Sequence, residues 1–211
     1  MNAAHDIVII DYGVGNFQSV ANALAFLGYP FLVSSSPAAV ASARMLILPG
    51  VGAFHEAMKN LAARNLIEPL REQVLTNKKP ILGICLGMQV LASSSQEFGL
   101  HQGLGWIEGA VVRFADAPGF PLPHVGWNNL DIVQRDPLFS RVGEHPNYYF
   151  DHSFHFACDR RYVVATCRYG VEFVAAVRKE NIFGTQFHPE KSQGNGLKLF
   201  RSFIESMNHA A

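Results

Sequence analysis

The 211-residue sequence predicts one α/β domain, residues 1–211: a mixed, mainly parallel sheet flanked by helices and extended by antiparallel strands. Two patterns carry this expectation. In the first half, short apolar runs alternate with stretches of helical periodicity, as in βαβ units around a parallel sheet. Beyond Gly103 the runs are β-branched or aromatic and are separated only by turn residues, as in antiparallel additions. No linker, internal repeat or low-complexity stretch interrupts the plan.

Each element follows in turn. "DIVIID" reads as a buried strand, and Phe17, Val20, Leu24 and Leu27 then share one helix face closed by Gly28 at a C′ position. "FLVSS" is a second strand, after which Ser36 is expected to cap a short helix with Pro37 in its first turn. "RMLILPGVGAF" is a strand entering a glycine-rich loop, helical sequence runs on to about Thr76, and "KPILGIC" is a fourth strand leading into helical "LGMQVLASS". The later strands are "GAVVRF", "NLDIVQ", "NYYFDHSFHF", "YVVATCRYG", "VEFVAAVRK" and "NIFGTQFH". A final amphipathic helix over 196–207 is expected to bury Leu197, Phe200, Phe203 and Ile204.

The totals narrow the function. Seventeen basic residues balance seventeen acidic ones without a Lys/Arg run, which argues against a nucleic-acid partner and for a small substrate. Three scattered cysteines without a CxxC pair fit neither a disulfide framework nor a zinc site, and suit a reducing cytoplasm. The N-terminus lacks a basic segment and its apolar run is too short for a membrane span, so no membrane association is expected. "DYGVGNFQ" follows a strand as a dinucleotide loop would, yet Gln18 stands where the third glycine belongs, and no cofactor is expected. His152 and His155, three apart on a strand, should point to opposite faces, so no metal site is expected there either.

One cysteine differs from the others. In "GICLGMQ" Cys85 stands at a strand-to-helix turn with Gly83 and Gly87 two residues to either side, the spacing that lets a sharp elbow close without side-chain collisions. The start of a helix favours thiolate over thiol, and the N–H of Leu86 would face a developing oxyanion. Cys158 and Cys167 lack such flanks and are read as structural.

A nucleophilic thiol needs an imidazole base. Among nine histidines, His188 in "QFHPEK" stands out: Pro189 drives it to extended geometry, so Glu190 should project to the same side, its α-carbon about 6.6 Å away, and orient the ring. A surface His and Glu flanking a turn is the competing reading of that tripeptide. His5, His55, His101, His124, His145 and His209 have no comparable setting and are read as bystanders.

Together "LPGVGAF", "GICLGMQ" and "QFHPEKSQ" resemble the triad-type, class I glutamine amidotransferases across nearly the whole chain. Within that group "IDYGVGN", "HVGWN" and "QFHPEKSQGNGLKL" resemble the glutaminase subunits of imidazole glycerol phosphate synthases, in histidine biosynthesis. The resemblance implies the class I amidotransferase fold, with Cys85 as nucleophile, His188 as acid/base and Glu190 as its orienter. It implies oxyanion donors from Val51 and Gly52 beside Leu86, and glutamine contacts from Gly52, Gln89, His152, Ser153 and Phe154. Asp151 departs from the family, which usually has an apolar residue there, and His155 is unexplained.

The resemblance also implies a partner: a (β/α)8 cyclase subunit, joined as a heterodimer, that receives ammonia through a channel. The implied partner contacts are Asn16, Trp127 and Lys191. Trp127 as core and Lys191 as merely solvated are the competing readings. Three other functions stay open: the glutaminase component of anthranilate or aminodeoxychorismate synthesis, a catalytically silent amidotransferase-like scaffold, and a cysteine peptidase or hydrolase.

Overall fold

A computed structural model describes residues 6–116 and 118–208, with side chains as far as Ser206; His5 and His209 lie outside the described residues. Strand β1 (Ile7–Ile10) is buried along its length, as an inner parallel strand covered on both faces must be. Helix α1 (Phe17–Phe26) is capped by Asn16, whose side-chain oxygen accepts the N–H of Ser19, and Gly28 takes φ +78° just past its end. Next come β2 (Phe31–Ser34) and α2 (Pro37–Ser42). Ser36 stands at the cap position of α2 but its side chain makes no capping bond; its backbone N–H donates to the Ser34 hydroxyl at 3.1 Å.

Strand β3 (Met45–Gly50) precedes α3 (Phe54–Ala63) and α4 (Ile67–Arg71), which runs into a π-helical turn over Glu72–Thr76. The helical sequence is broken where Asn65 adopts φ +55°. Strand β4 (Ile81–Cys85) is followed by α5 (Leu86–Gln89), far shorter than the expected helix. The cause lies further along the chain: the N–H groups of Leu104, Gly105, Trp106 and Ile107 take the carbonyls of Val90, Ala92 and Leu91, which a longer helix would have needed.

The remaining strands are β5 (Ser94–Ser95), β6 (His101–Gln102), β7 (Gly109–Arg113), β8 (His124–Ile132), β9 (Asn147–His152), β10 (Phe154–Cys158), β11 (Val163–Tyr169), β12 (Val171–Lys179) and β13 (Ile182–Thr185). Helix α6 (Gln193–Asn208) ends the described chain. It starts earlier than expected, and its buried face is Leu199, Phe200, Phe203 and Ile204, with Leu197 only half-buried.

These strands form one mixed sheet in the order β2-β1-β3-β4-β13-β12-β10-β7-β5-β6. It is parallel from β2 through β13 and becomes antiparallel at β12, β10 and β7. Strand β11 pairs with β12 and carries β8, which pairs in turn with β9. Alternating side chains of the parallel strands feed two apolar layers. Ile7, Ile9, Ile47 and Leu82 meet α1 and α6, while Val8, Ile10, Leu46 and Leu48 meet α3 and α4. The "NYYFDHSFHF" run is two strands broken at Ser153. The break overturns the opposite-faces expectation: the rings of His152 and His155 both pack on Phe114 and Phe173.

Candidate active site

Cys85 ends β4 at the centre of the parallel half. On one side the ladder pairs it with Gly50 of β3; on the other it pairs Ile84 with Thr185, which brings Gln186 level with Cys85. The cysteine has φ +54° and ψ −110°, a conformation that costs a non-glycine residue about 1–3 kcal/mol and is held by its surroundings. The glycine flanks are needed because backbone crosses here. A Cβ on Gly87 would lie 1.8 Å from the Leu48 carbonyl oxygen, and one on Gly83 would lie 2.6 Å from that of Gly87. With only four residues in α5, the elbow rests on this crowding more than on a helix dipole.

His188 lies beyond the end of β13 in extended geometry, but Glu190 sits in a 3₁₀ turn over Pro189–Lys191 rather than on a continuing strand. That turn closes the pair instead of the extended spacing: His188 Nδ1 lies 2.7 Å from Glu190 Oε1. The backbone N–H of His188 donates to Tyr149 O at 2.9 Å, and Ser192 Oγ donates to His188 O at 2.6 Å, fixing the ring's base. Both side chains are only 2% exposed, which removes the surface-pair reading. Burial pulls the imidazole pKa down, but the thiolate of Cys85 and then the hydrogen bond and charge of Glu190 outweigh it and lift His188 to about 10. Nδ1–H is committed to the carboxylate, which leaves Nε2 to exchange a proton with sulfur.

Cys85 and His188 open on a cavity of about 320 Å³. Val51, Gly52, Leu86, Gln89, His152, Ser153 and Phe154 all line it, so the residues expected around the substrate are gathered in one place. Gly52 has φ +101°, the left-handed region glycine enters freely, so the loop can turn at the mouth. The lining also includes Glu97, Phe98 and Pro123, which sequence reasoning missed. Glu97 accepts the N–H of Phe54 at the start of α3, 43 positions away, a long-range pairing that no local pattern announces. Asp151 also lines the cavity and presents its carbonyl 4.0 Å from Cys85 Sγ.

Behind the cavity wall, His124 is a buried neighbour of His152 rather than a bystander. Cross-strand pairing of β8 and β9 sets the two rings with His124 Nδ1 3.1 Å from His152 Nε2. Burial depresses His124 to about 4; burial, together with the neighbouring histidines, depresses His152 to about 3 despite its bond to the Phe154 carbonyl. Both rings are therefore neutral near pH 7.

The residues expected at a partner surface divide. Trp127 is 45% exposed, edge-on to Tyr149, and Lys191 Nζ lies 5.3 Å from the centre of that same ring, so these three side chains form one patch. Neither bland alternative describes them. Asn16 is half-buried and engaged in capping α1, a structural duty the sequence reading did not assign. Burial pushes Cys158 up to about 11 and Cys167 up to about 12, leaving both as thiols. Among the described residues no cluster of three or more His, Cys, Asp or Glu side chains could hold a metal, and no helix is long and apolar enough to cross a membrane.

The fold is shared with solved structures. A glutamine amidotransferase aligns with TM-score 0.75 at 22% identity, covering 95% of this chain and 98% of that one. Thermotoga maritima PurLQS aligns with TM-score 0.72 at 20% identity, covering 95% and 98%. The family model for class-I glutamine amidotransferases matches residues 8–206, and the chain belongs to that family.

Closer relatives place it within the family. Imidazole glycerol phosphate synthase subunit HisH 1 of Campylobacter jejuni is 49% identical over 197 residues, 93% of this chain and 98% of that protein. Subunit HisH 2 of Vibrio vulnificus is 49% identical, covering 94% of each, and subunit HisH of Geobacter sulfurreducens is 45% identical, covering 94% and 98%. At that likeness the chain falls among the HisH subunits.

Proposed function

We propose that this chain, residues 1–211 acting as one amidotransferase domain, is the glutaminase subunit of an imidazole glycerol phosphate synthase. The observation that carries the reading is the buried His188–Glu190 pair, 2.7 Å apart, opening with the strained Cys85 on one cavity. A glutamine side-chain amide is a weak electrophile with a poor leaving group, so nucleophile, oxyanion donors and acid must act together. The Cys85 thiolate forms a bond to the amide carbon, and the C=O electrons move onto oxygen. The N–H groups of Leu86 and of Val51 or Gly52 receive that oxyanion.

His188 gives its Nε2 proton to nitrogen, the C–N bond breaks, and ammonia leaves a γ-glutamyl thioester. Water, giving a proton back to His188, then attacks the thioester; the C–S bond breaks and glutamate departs. Glu190 stabilises the imidazolium without itself taking the proton. Gly52, Gln89, His152, Ser153 and Phe154 hold the amino acid, and the carboxylate of Glu97 suits its ammonium group.

Ammonia released into neutral water is mostly protonated and no longer nucleophilic, so a second protein must take it directly. A cyclase subunit with a (β/α)8 barrel fits that need, the pair forming a heterodimer that makes imidazole glycerol phosphate and aminoimidazole carboxamide ribotide. The Trp127–Tyr149–Lys191 patch supports a contact at Trp127 and Lys191. Asn16 caps α1, a helix that meets the Pro189–Lys191 turn, and is the third candidate for that contact. Three free cysteines, one of them the nucleophile, suit the reducing cytoplasm.

The test is glutamate release from glutamine with this chain alone, with a cyclase subunit, and with that subunit and its nucleotide ligand. Stimulation by the last combination is expected. Stimulation instead by a chorismate-using synthase would transfer the chain to anthranilate or aminodeoxychorismate synthesis, and no release in any combination from folded protein would leave a silent scaffold.

A further inference from the structure

Gln186 is fully buried, lies outside the cavity lining, and is not needed by the mechanism above, yet its side-chain nitrogen lies 3.6 Å from Cys85 Sγ. The parallel register of β4 and β13 places it there, one residue past the Ile84–Thr185 pair. An amide has two ends, and which end faces sulfur decides whether it helps or hinders an anion. Here the direction is set by the neighbours. The Phe154 carbonyl can only accept; it takes His152 Nδ1 at 2.8 Å and Gln89 Nε2 at 3.0 Å. Gln89 Nε2 also reaches Gln186 Oε1 at 3.0 Å. Turning Gln186 over would set two NH₂ groups against each other and point oxygen at the thiolate.

We propose that Gln186 is a catalytic residue: a fixed amide donor to the Cys85 thiolate, aimed through Gln89 by the Phe154 carbonyl. The inference deepens the proposed reaction and rests on Cys85 being its nucleophile. Sulfur meets an imidazolium at His188 and a neutral donor at Gln186, which supports the anion without competing for its proton. Gln89 lines the substrate cavity, so glutamine contacts made there bear on the same amide that holds the nucleophile. As the C–S bond forms, negative charge leaves sulfur and the Gln186 bond weakens; it strengthens again when the thioester opens. Gln186 thereby favours the leaving of sulfur in the second half-reaction as well as its ionisation before the first.

The decisive experiment follows the rate of Cys85 alkylation by iodoacetamide against pH, alongside glutaminase turnover, in the complex with a cyclase subunit. For Gln186→Leu, which keeps the volume but removes the donor, the alkylation profile is expected to move to higher pH by about one unit and kcat to fall by about 10- to 100-fold, the range for a hydrogen bond to an ionised acceptor. KM should change less than kcat. Gln186→Glu, an isostere with oxygen toward sulfur, should move the profile further in the same direction. A profile unmoved in either folded variant overturns the proposal.

Should neither variant fold, the unmodified protein still decides. The side-chain amide resonance of Gln186 must shift when Cys85 ionises or is alkylated, and a resonance indifferent to both overturns the assignment. Failure of the underlying reading has a different signature: the unsubstituted protein would keep full turnover after Cys85 is alkylated.

Discussion

The parallel half of the sheet and its antiparallel extension contribute to the site in different ways. Strands β3, β4 and β13 deliver their groups at adjacent C-terminal ends: the Gly50–Gly52 loop, Cys85, and the run from Gln186 to Glu190. Backbone hydrogen bonds fix these positions before any side chain is placed. Strands β8, β9 and β10 supply the wall, His152 to Phe154, the buried His124 behind it and the exposed patch at Trp127. That half acts through pairing across strands and through a break at Ser153, so its residues are neighbours in space without being neighbours in any motif. The parallel half thus holds the chemistry, and the antiparallel half shapes what reaches it.

The sharpest test of this division is Cys85→Ala, expected to reduce glutamate release to background, a loss of about 10⁴-fold or more, while cyclase binding measured by gel filtration is unchanged. Next is Glu190→Gln, which keeps the shape but removes the charge supporting His188. A fall in kcat of about 10²- to 10⁴-fold is expected with KM little altered, and near-normal turnover would break the assigned pairing. Gly87→Ala forces a Cβ to within 1.8 Å of the Leu48 carbonyl oxygen and should lower stability by about 3 kcal/mol or more in urea titration.

Smaller effects sharpen the comparison. Cys85→Gly should melt about 3 °C above Cys85→Ala, because only glycine relieves φ +54°. On the antiparallel side, His124 and His152 are held near 4 and 3, so below about pH 6.5 the unfolded chain takes up protons that the folded one refuses. Their stabilisation is complete above that pH and is lost as the pH falls through 4 toward 3. His124→Phe should flatten the decline in urea midpoint between pH 7 and 4.5 with little effect at pH 7; an unchanged slope would separate the pair from acid lability.

The two halves were unequally legible in the sequence. The elbow at Cys85 could be read because glycine spacing and a strand-to-helix transition are local, and His188 with Glu190 because they share one tripeptide, although a 3₁₀ turn rather than extended geometry joins them. The order of β4 and β13 in space is not local, so Gln186, though it opens the recognised "QFHPEK" motif, gave no sign of touching sulfur. The shortness of α5 was hidden because the carbonyls just past its end, Val90 to Ala92, are claimed by residues 104–107, some fifteen positions on. His124 looked like a bystander since only the β8–β9 register sets it against His152. Glu97 escaped for the same reason, its role depending on how its loop folds over α3.

Because Gly50 pairs with Cys85 and Gln186 directly follows the Ile84–Thr185 pair on the other side of β4, the working distances around sulfur are metered by peptide groups rather than by side-chain shape. Swapping one aliphatic residue for another at Ile81, Leu82 or Ile182 should therefore wear down thermal tolerance well before turnover suffers, which marks those positions as the ones to vary when the scaffold is to be retuned without disarming it.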